Sequence, residues 1–394
     1  MIMEYYVWRK EVFAVNLFFK NVNVYHSGSM RFLPGAVYVE GGLIRGVYAA
    51  GDAMPDAGAA TVVDGQGMYL APGLVDMHTH GIVGGDFITA DEAKLAEMAR
   101  AYLRGGVTSV MPTLASASVS DMQAAVARIN AADDCGVFCG VHFEGRYLNP
   151  AKRGAHAPGL LSGLDPDELE GLICNVCGAV HVSAAFELDE DGAFAARALS
   201  KGATLGLAHT TATYAQAKQA ITRGVRSFTH LFNAMPPLHH RDGGAVCAAF
   251  DSDAYAELIV DGVHVSPEMV ALAYRNKKEQ LVLITDSMEA TDCADGEYSI
   301  AGMPVTVKDG KAVTHDGAIA GSTLHLMDGV RNLASFAGIP FETALYAATM
   351  APAKSLGIDG KVGEIAAGKR ADLLLLDSDY RICRVFKSGA EVLL

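Results

Sequence analysis

The feature that most constrains this chain is a recurrence of short apolar runs. They fall at 74–78, 107–111, 137–143, 179–184, 204–209, 226–230, 257–260 and 281–286 and read as strands. Helix-like segments at 93–103, 120–130, 165–172, 194–201, 214–223 and 267–274 lie between most of them. Strands alternating with helices predict a parallel sheet, because a parallel partner needs a crossover of a dozen or more residues. Eight such units predict an α/β fold closed as a (β/α)8 TIM-like barrel. After the eighth strand, 298–313 reads as a hairpin turning at Asp309-Gly310, and 323–336 and 341–348 as helices.

The two ends are written differently. β-rich runs at 12–19, 36–39 and 43–47 are divided by Ser27-Gly28, Pro34-Gly35 and Gly41-Gly42, and runs at 373–376 and 381–387 resume that style. We expect the ends, residues 1–70 and 360–394, to pair as a small β-sandwich domain around a barrel at 71–359. With 394 residues, of which 51% are hydrophobic, the chain can bury cores for both.

A net charge of −14 and a pI of about 5.3 exclude a general nucleic-acid surface, although a local cluster of donors can still hold a small phosphorylated substrate. No apolar stretch is long enough to span a bilayer. Arg9, Lys10 and Glu11 interrupt the apolar residues near the start, so no secretory leader is expected. Seven cysteines without regular spacing predict reduced thiols and a cytoplasmic location. Cys174 and Cys177 read as two buried apolar thiols.

Polar residues cluster where the predicted strands end. His78 and His80 close the first, Glu144 the third, His209 the fifth, His230 the sixth and Asp286 the eighth. Residues i and i+2 of a strand share a face, so His78 and His80 can reach one ion. A parallel barrel gathers the C-terminal ends of its strands on one face. Four imidazoles and two carboxylates delivered there suit zinc, or alternatively ferrous iron. Satisfied core histidines at 209 and 230, and a helix-capping role for Asp286, stay open on spacing alone. Glu144 follows an apolar strand and needs a partner if buried.

The segments Pro72-Gly-Leu-Val-Asp-Met-His-Thr-His80, His142-Phe-Glu-Gly145, Gly154-Ala-His156, Thr229-His-Leu-Phe-Asn-Ala-Met235, Leu238-His-His-Arg241, Asp261-Gly-Val-His264, Thr285-Asp286 and Gly368-Lys-Arg-Ala-Asp372 occur in this order. With them the chain resembles the amidohydrolase superfamily, and within it the N-acetylglucosamine-6-phosphate deacetylases. The resemblance implies one or two divalent ions per subunit, one held by Glu144, His209 and His230 and a second by His78 and His80. It implies sugar-phosphate contacts from Ala155, Asn233, Ala234, Arg241, His264 and the Ala320, Gly321, Ser322 loop, and a homodimer in which Arg241 nears the neighbouring subunit's substrate.

The implied reaction is hydrolysis of N-acetylglucosamine 6-phosphate to glucosamine 6-phosphate and acetate. Metal-activated water would attack, with Asp286 as general base and then acid. His156 and His264 suit the carbonyl oxygen or polar substrate groups. Arg241 offers a planar fork for phosphate, with a solvated basic loop as the plainer reading.

Two positions depart from the family pattern. Arg146 and Phe186 stand where prolines are usual, which keeps the galactosamine epimer open as substrate. A cyclic-amide hydrolase would need a carboxylated lysine at a strand end, and none is there. A non-catalytic scaffold would have lost ligands that this chain keeps.

Overall fold

The computed structural model describes residues 16–53, 58, 60–132 and 136–393. The expected strand at 12–19 therefore begins outside the described residues, as do the first residues and the last residue of the end domain.

The eight predicted strands are all present: Leu74–Thr79, Val107–Leu114, Gly140–Glu144, Ala179–Ala184, Thr204–Leu207, Ser227–Phe228, Tyr255–Ile259 and Leu281–Ile284. They form one parallel sheet in sequence order. Between the eighth strand and the first the ladder is incomplete, and other backbone groups complete it. Low in the seam, Val75 donates to Ala348 O and Leu283 to Ala347 O. High in the seam, Asp286 N donates to His78 O at 2.9 Å and His80 N to Ser287 O at 2.7 Å. The closing bonds thus fasten the last expected catalytic residue beside the first two expected ligands.

The crossover helices match the predicted segments with displaced ends. Asp165 and Thr213 each cap a helix start with a side-chain oxygen, Thr213 in a reciprocal capping box with Gln216. Two helices were not anticipated, Gly244–Phe250 and Met350–Leu356. The expected hairpin at 298–313 is a three-stranded meander, Gly296–Ile300, Met303–Lys308 and Lys311–Thr314. Its unforeseen turn at Ala301-Gly302 repeats the doubly positive φ of Asp309-Gly310, although alanine gives no such signal in sequence.

Strands from both chain ends make a second sheet of eight. Tyr69–Pro72 lies at its centre, parallel to Leu17–His26 and antiparallel to Leu373–Leu376. Phe19 meets Phe386 edge to face at 5.0 Å, so the early and late halves pack on each other as in a sandwich. The late strand uses both faces. Leu373 and Leu375 enter the sheet's own core, whereas Leu374 and Leu376 enter the barrel's.

Two local expectations are corrected. Pro34-Gly35 lies inside the strand Arg31–Glu40, not between strands; a Cβ at Gly35 would sit 2.4 Å from Tyr48 O, so close approach is what requires glycine there. Cys174 and Cys177 are exposed, not buried, because the chain between the helix Pro166–Ile173 and the next barrel strand runs over the surface. Among the described residues no helix is long and apolar enough to cross a membrane.

Candidate metal and catalytic site

Glu144 is the hub of the C-terminal face. Its Oε1 lies 2.9 Å from His230 Nε2 and 3.3 Å from His209 Nε2, and its Oε2 lies 3.0 Å from His80 Nε2 and 3.4 Å from His78 Nε2. Asp286 Oδ1 is 3.2 Å from His80 Nε2. All six residues are buried. The strand-end logic therefore gathers His78, His80, Glu144, His209, His230 and Asp286 at one point. His209, His230 and Asp286 all hold positive φ, a region that non-glycine residues seldom occupy.

The chemistry of these atoms fits a cation. His209 donates Nδ1–H to Lys152 O at 2.7 Å, which leaves its Nε2 a bare lone pair in the neutral ring. That lone pair faces the Glu144 carboxylate and lies 3.1 Å from His230 Nε2. Acceptors facing acceptors in a buried site need a positive charge between them, and a divalent ion would supply it. His78, His80 and Glu144 form a second group whose ligand atoms all lie within 4.8 Å of one another.

His156 belongs to a third such combination, with Glu144 and His209, but its bonds give it another role. Its Nδ1 accepts from Ser116 N at 3.3 Å, so the proton of the neutral ring sits on Nε2, 3.8 Å from Glu144. Burial, with the nearby His209, pulls its pKa down to about 3, so the ring stays neutral. In that tautomer the ring offers a donor at Nε2, not a lone pair. Burial would raise Asp286, but His78 and His80 more than offset it and hold the carboxyl at about 2. His264 is oriented by Asp261, Nδ1 to Oδ2 at 2.7 Å.

A cavity of about 540 Å³ opens over these groups. Ala155, His156, Asn233, Ala234, His264, Ala320 and Gly321 line it together with His80, Glu144, His209, His230 and Asp286. Glycine at 154 lets its loop approach His209, since a Cβ would lie 3.1 Å from the imidazole. His78 is buried beneath the cavity, and Ser322 lies behind its wall, donating to Thr285 O at 2.6 Å. Arg241 does not line it; the residue is exposed on a loop and donates to His240 at 2.7 Å.

Sequence reasoning passed over two features. The cationic side chains that line the cavity are Lys152 and Arg153, just before the Gly154-Ala-His156 segment. Buried Glu257, read only as a strand start, accepts from Ser227 Oγ at 3.0 Å and lies 3.3 Å from His78 Nδ1. A carboxylate inside an apolar run was the available signal, since burial demands a partner.

A model of the Amidohydrolase family matches residues 69–392. The chain belongs to this family. Two curated relatives stand at the same distance from this amidohydrolase. The N-acetylglucosamine-6-phosphate deacetylase of Vibrio furnissii is 35% identical over 330 residues, 82% of each chain. The N-acetylgalactosamine-6-phosphate deacetylase of Escherichia coli O157:H7 is 35% identical over 352 residues, 87% of this chain and 92% of that one. A solved variant of the Mycobacterium smegmatis N-acetyl-D-glucosamine-6-phosphate deacetylase, in complex with N-acetyl-D-glucosamine-6-phosphate, superposes with a TM-score of 0.87 at 30% identity. That match covers 97% of this amidohydrolase and all of the other chain. The protein is a hydrolase, and its family is metal-dependent.

Proposed function

We propose that this amidohydrolase removes the acetyl group of N-acetylglucosamine 6-phosphate, giving glucosamine 6-phosphate and acetate. The observation that carries the reading is Asp286 beside the cluster of Glu144, His80, His209 and His230, in a cavity large enough for a sugar phosphate. Glu144, His209 and His230 would hold one divalent ion, zinc or ferrous iron, and His78 with His80 a second. Lewis acidity for the acetyl carbonyl, and a nucleophilic water near neutral pH, are what such an ion supplies when bound.

The chain's own groups do the rest. Asp286, ionised at neutral pH, takes the proton of the attacking water and passes it to the departing amine nitrogen. His156 presents Nε2–H to the cavity, a donor for the carbonyl oxygen or a sugar hydroxyl. His264, fixed by Asp261, serves polar substrate groups, and Ala155, Asn233, Ala234 and the Ala320–Ser322 loop shape the sugar site. Lys152 and Arg153 supply positive charge for phosphate, and Arg241 reaches the site of a partner subunit in a homodimer. We read residues 1–70 with 360–394 as one domain and 71–359 as the hydrolase barrel. Cys174, Cys177, Cys247, Cys293 and Cys383 are free thiols, which fits a reducing cytoplasm.

The equal identity to a galactosamine-6-phosphate enzyme supports one second reading, the 4-epimer as substrate. Acetate release from both epimers, each with and without phosphate, tests the proposal. Preference for the phosphorylated gluco sugar is expected. Preference for the galacto sugar would transfer the assignment, and indifference to phosphate would remove the sugar-phosphate reading.

A further inference from the structure

Below the cavity lies a carboxylate that the proposed chemistry leaves unused. Glu257, on the seventh barrel strand, is fully buried, as is His78 on the first. Its Oε2 accepts from His78 Nδ1 at 3.3 Å, while Oε1 accepts from Ser227 Oγ at 3.0 Å and lies 3.5 Å from His181 Nε2. With its Nδ1 proton committed to Glu257, His78 can give up only its Nε2 proton to an incoming cation, and Nε2 is then the ligand atom. That atom has no hydrogen-bond partner and lies 3.4 Å from Glu144 Oε2 and 3.6 Å from Asp286 Oδ1.

The other two histidines inside the barrel show the contrast. Both nitrogens of His142 are taken, by Thr113 at 3.1 Å and Ser183 at 2.7 Å. His181 is held by Thr204 at 2.8 Å and turned toward Glu257. Of the three, His78 alone presents an unpartnered ring nitrogen to Glu144 and Asp286.

We propose that Glu257 is a positioning residue that aims His78 Nε2 at Glu144 and thereby builds the second metal position, the one shared with His80. The inference rests on the metal-site reading above and says which residue makes the site a two-ion rather than a one-ion centre. A carboxylate on the far nitrogen of a ligating histidine fixes its tautomer and raises its basicity, and losing it typically weakens the metal 10- to 100-fold. Glu257 touches neither Glu144, His209 nor His230 in this way, so the first ion should not feel its loss.

Titration of the metal-free protein with cobalt(II), followed by the visible absorption of the bound ion and by metal per chain after desalting, tests this. The unmodified protein should take two equivalents. Glu257→Gln fills the same space without the charge; it should keep the first equivalent and bind the second at least about tenfold more weakly. His78→Gln should lose the second equivalent, and adding Glu257→Gln to it should change nothing further, because the carboxylate acts only through that ring. A single equivalent in the unmodified protein, an unweakened second ion in Glu257→Gln, or additive losses in the double variant would each overturn the inference. Should Glu257→Gln fail to fold, Ser227→Ala strips one donor from Glu257 without touching His78. There a weakened second ion supports the inference and an unchanged one overturns it. None of these readouts measures acetate, so a chain with the two-ion pattern and no deacetylase activity would lose the function and keep the inference.

Discussion

His209, His230 and Asp286 sit at φ of +42°, +31° and +49°. Such residues cost on the order of 1–3 kcal/mol each and persist only where the surroundings over-determine them. At Asp286 the constraint is visible, since its N–H donates to His78 O and its carbonyl accepts from Ser322 N at 2.7 Å. Asp286→Asn keeps that backbone and the site's shape, so it should retain metal while turnover falls about 10²- to 10⁴-fold; metal analysis beside an acetate assay checks both. Asp286→Gly should be as inactive, yet its metal-free form should melt no lower than the unmodified protein, because glycine relieves the positive φ. A drop of several degrees would show that this conformation stores no strain. The convergence of the candidate ligands was legible because each follows the end of a strand in a pattern of strands. The tautomers were not, because they depend on Lys152 O, Ser116 N and Glu257, which no spacing connects to a histidine.

Arg146 carries the main lesson at the scale of elements. It holds φ +64°, which a proline ring forbids, so this chain differs from the usual family pattern in backbone and not only in side chain. The N–H that proline would lack donates to Ser116 Oγ at 3.0 Å, and the guanidinium pairs with Glu168 at 3.0 Å and donates to Ala117 O at 2.7 Å. These bonds tie the third strand's exit to the helix Pro166–Ile173 and to the end of the second strand. Arg146→Ala should lower stability by about 2 kcal/mol in chemical denaturation, and Arg146→Pro by about 3 kcal/mol or more. Most barrel strands were readable as apolar runs. The sixth forms a ladder over only Ser227–Phe228, and the seam closed by Ala347 and Ala348 was hidden, because an alanine that plugs a gap looks like any helical alanine.

For the whole molecule, the sheet and the barrel are joined by a buried ion pair. Lys387 Nζ lies 2.9 Å from Asp372 Oδ2 and donates to Thr108 O on the second barrel strand, and Asp372 also takes Arg370 at 2.6 Å. Lys387→Met leaves Asp372 short of its most buried partner and should cost about 3–5 kcal/mol, read from denaturant midpoints. Chelation should lower the melting temperature and abolish turnover, and divalent metal should restore both, since an ion that binds only the folded state stabilises it by mass action. The pairing of the chain ends was legible from their shared strand-and-turn style. The central place of Tyr69–Pro72 was not, because register between segments so distant in sequence leaves no local trace.

That central strand also sets an order of assembly. During synthesis Tyr69–Pro72 emerges with Leu17–His26 to pair with, but its other edge stays open until Leu373–Leu376 arrives, after every barrel strand has been made. The nascent chain therefore carries an unpaired apolar edge through most of its translation, an exposure that invites association with other chains. Release of the last strands, rather than completion of the barrel, is the event that ends this vulnerability.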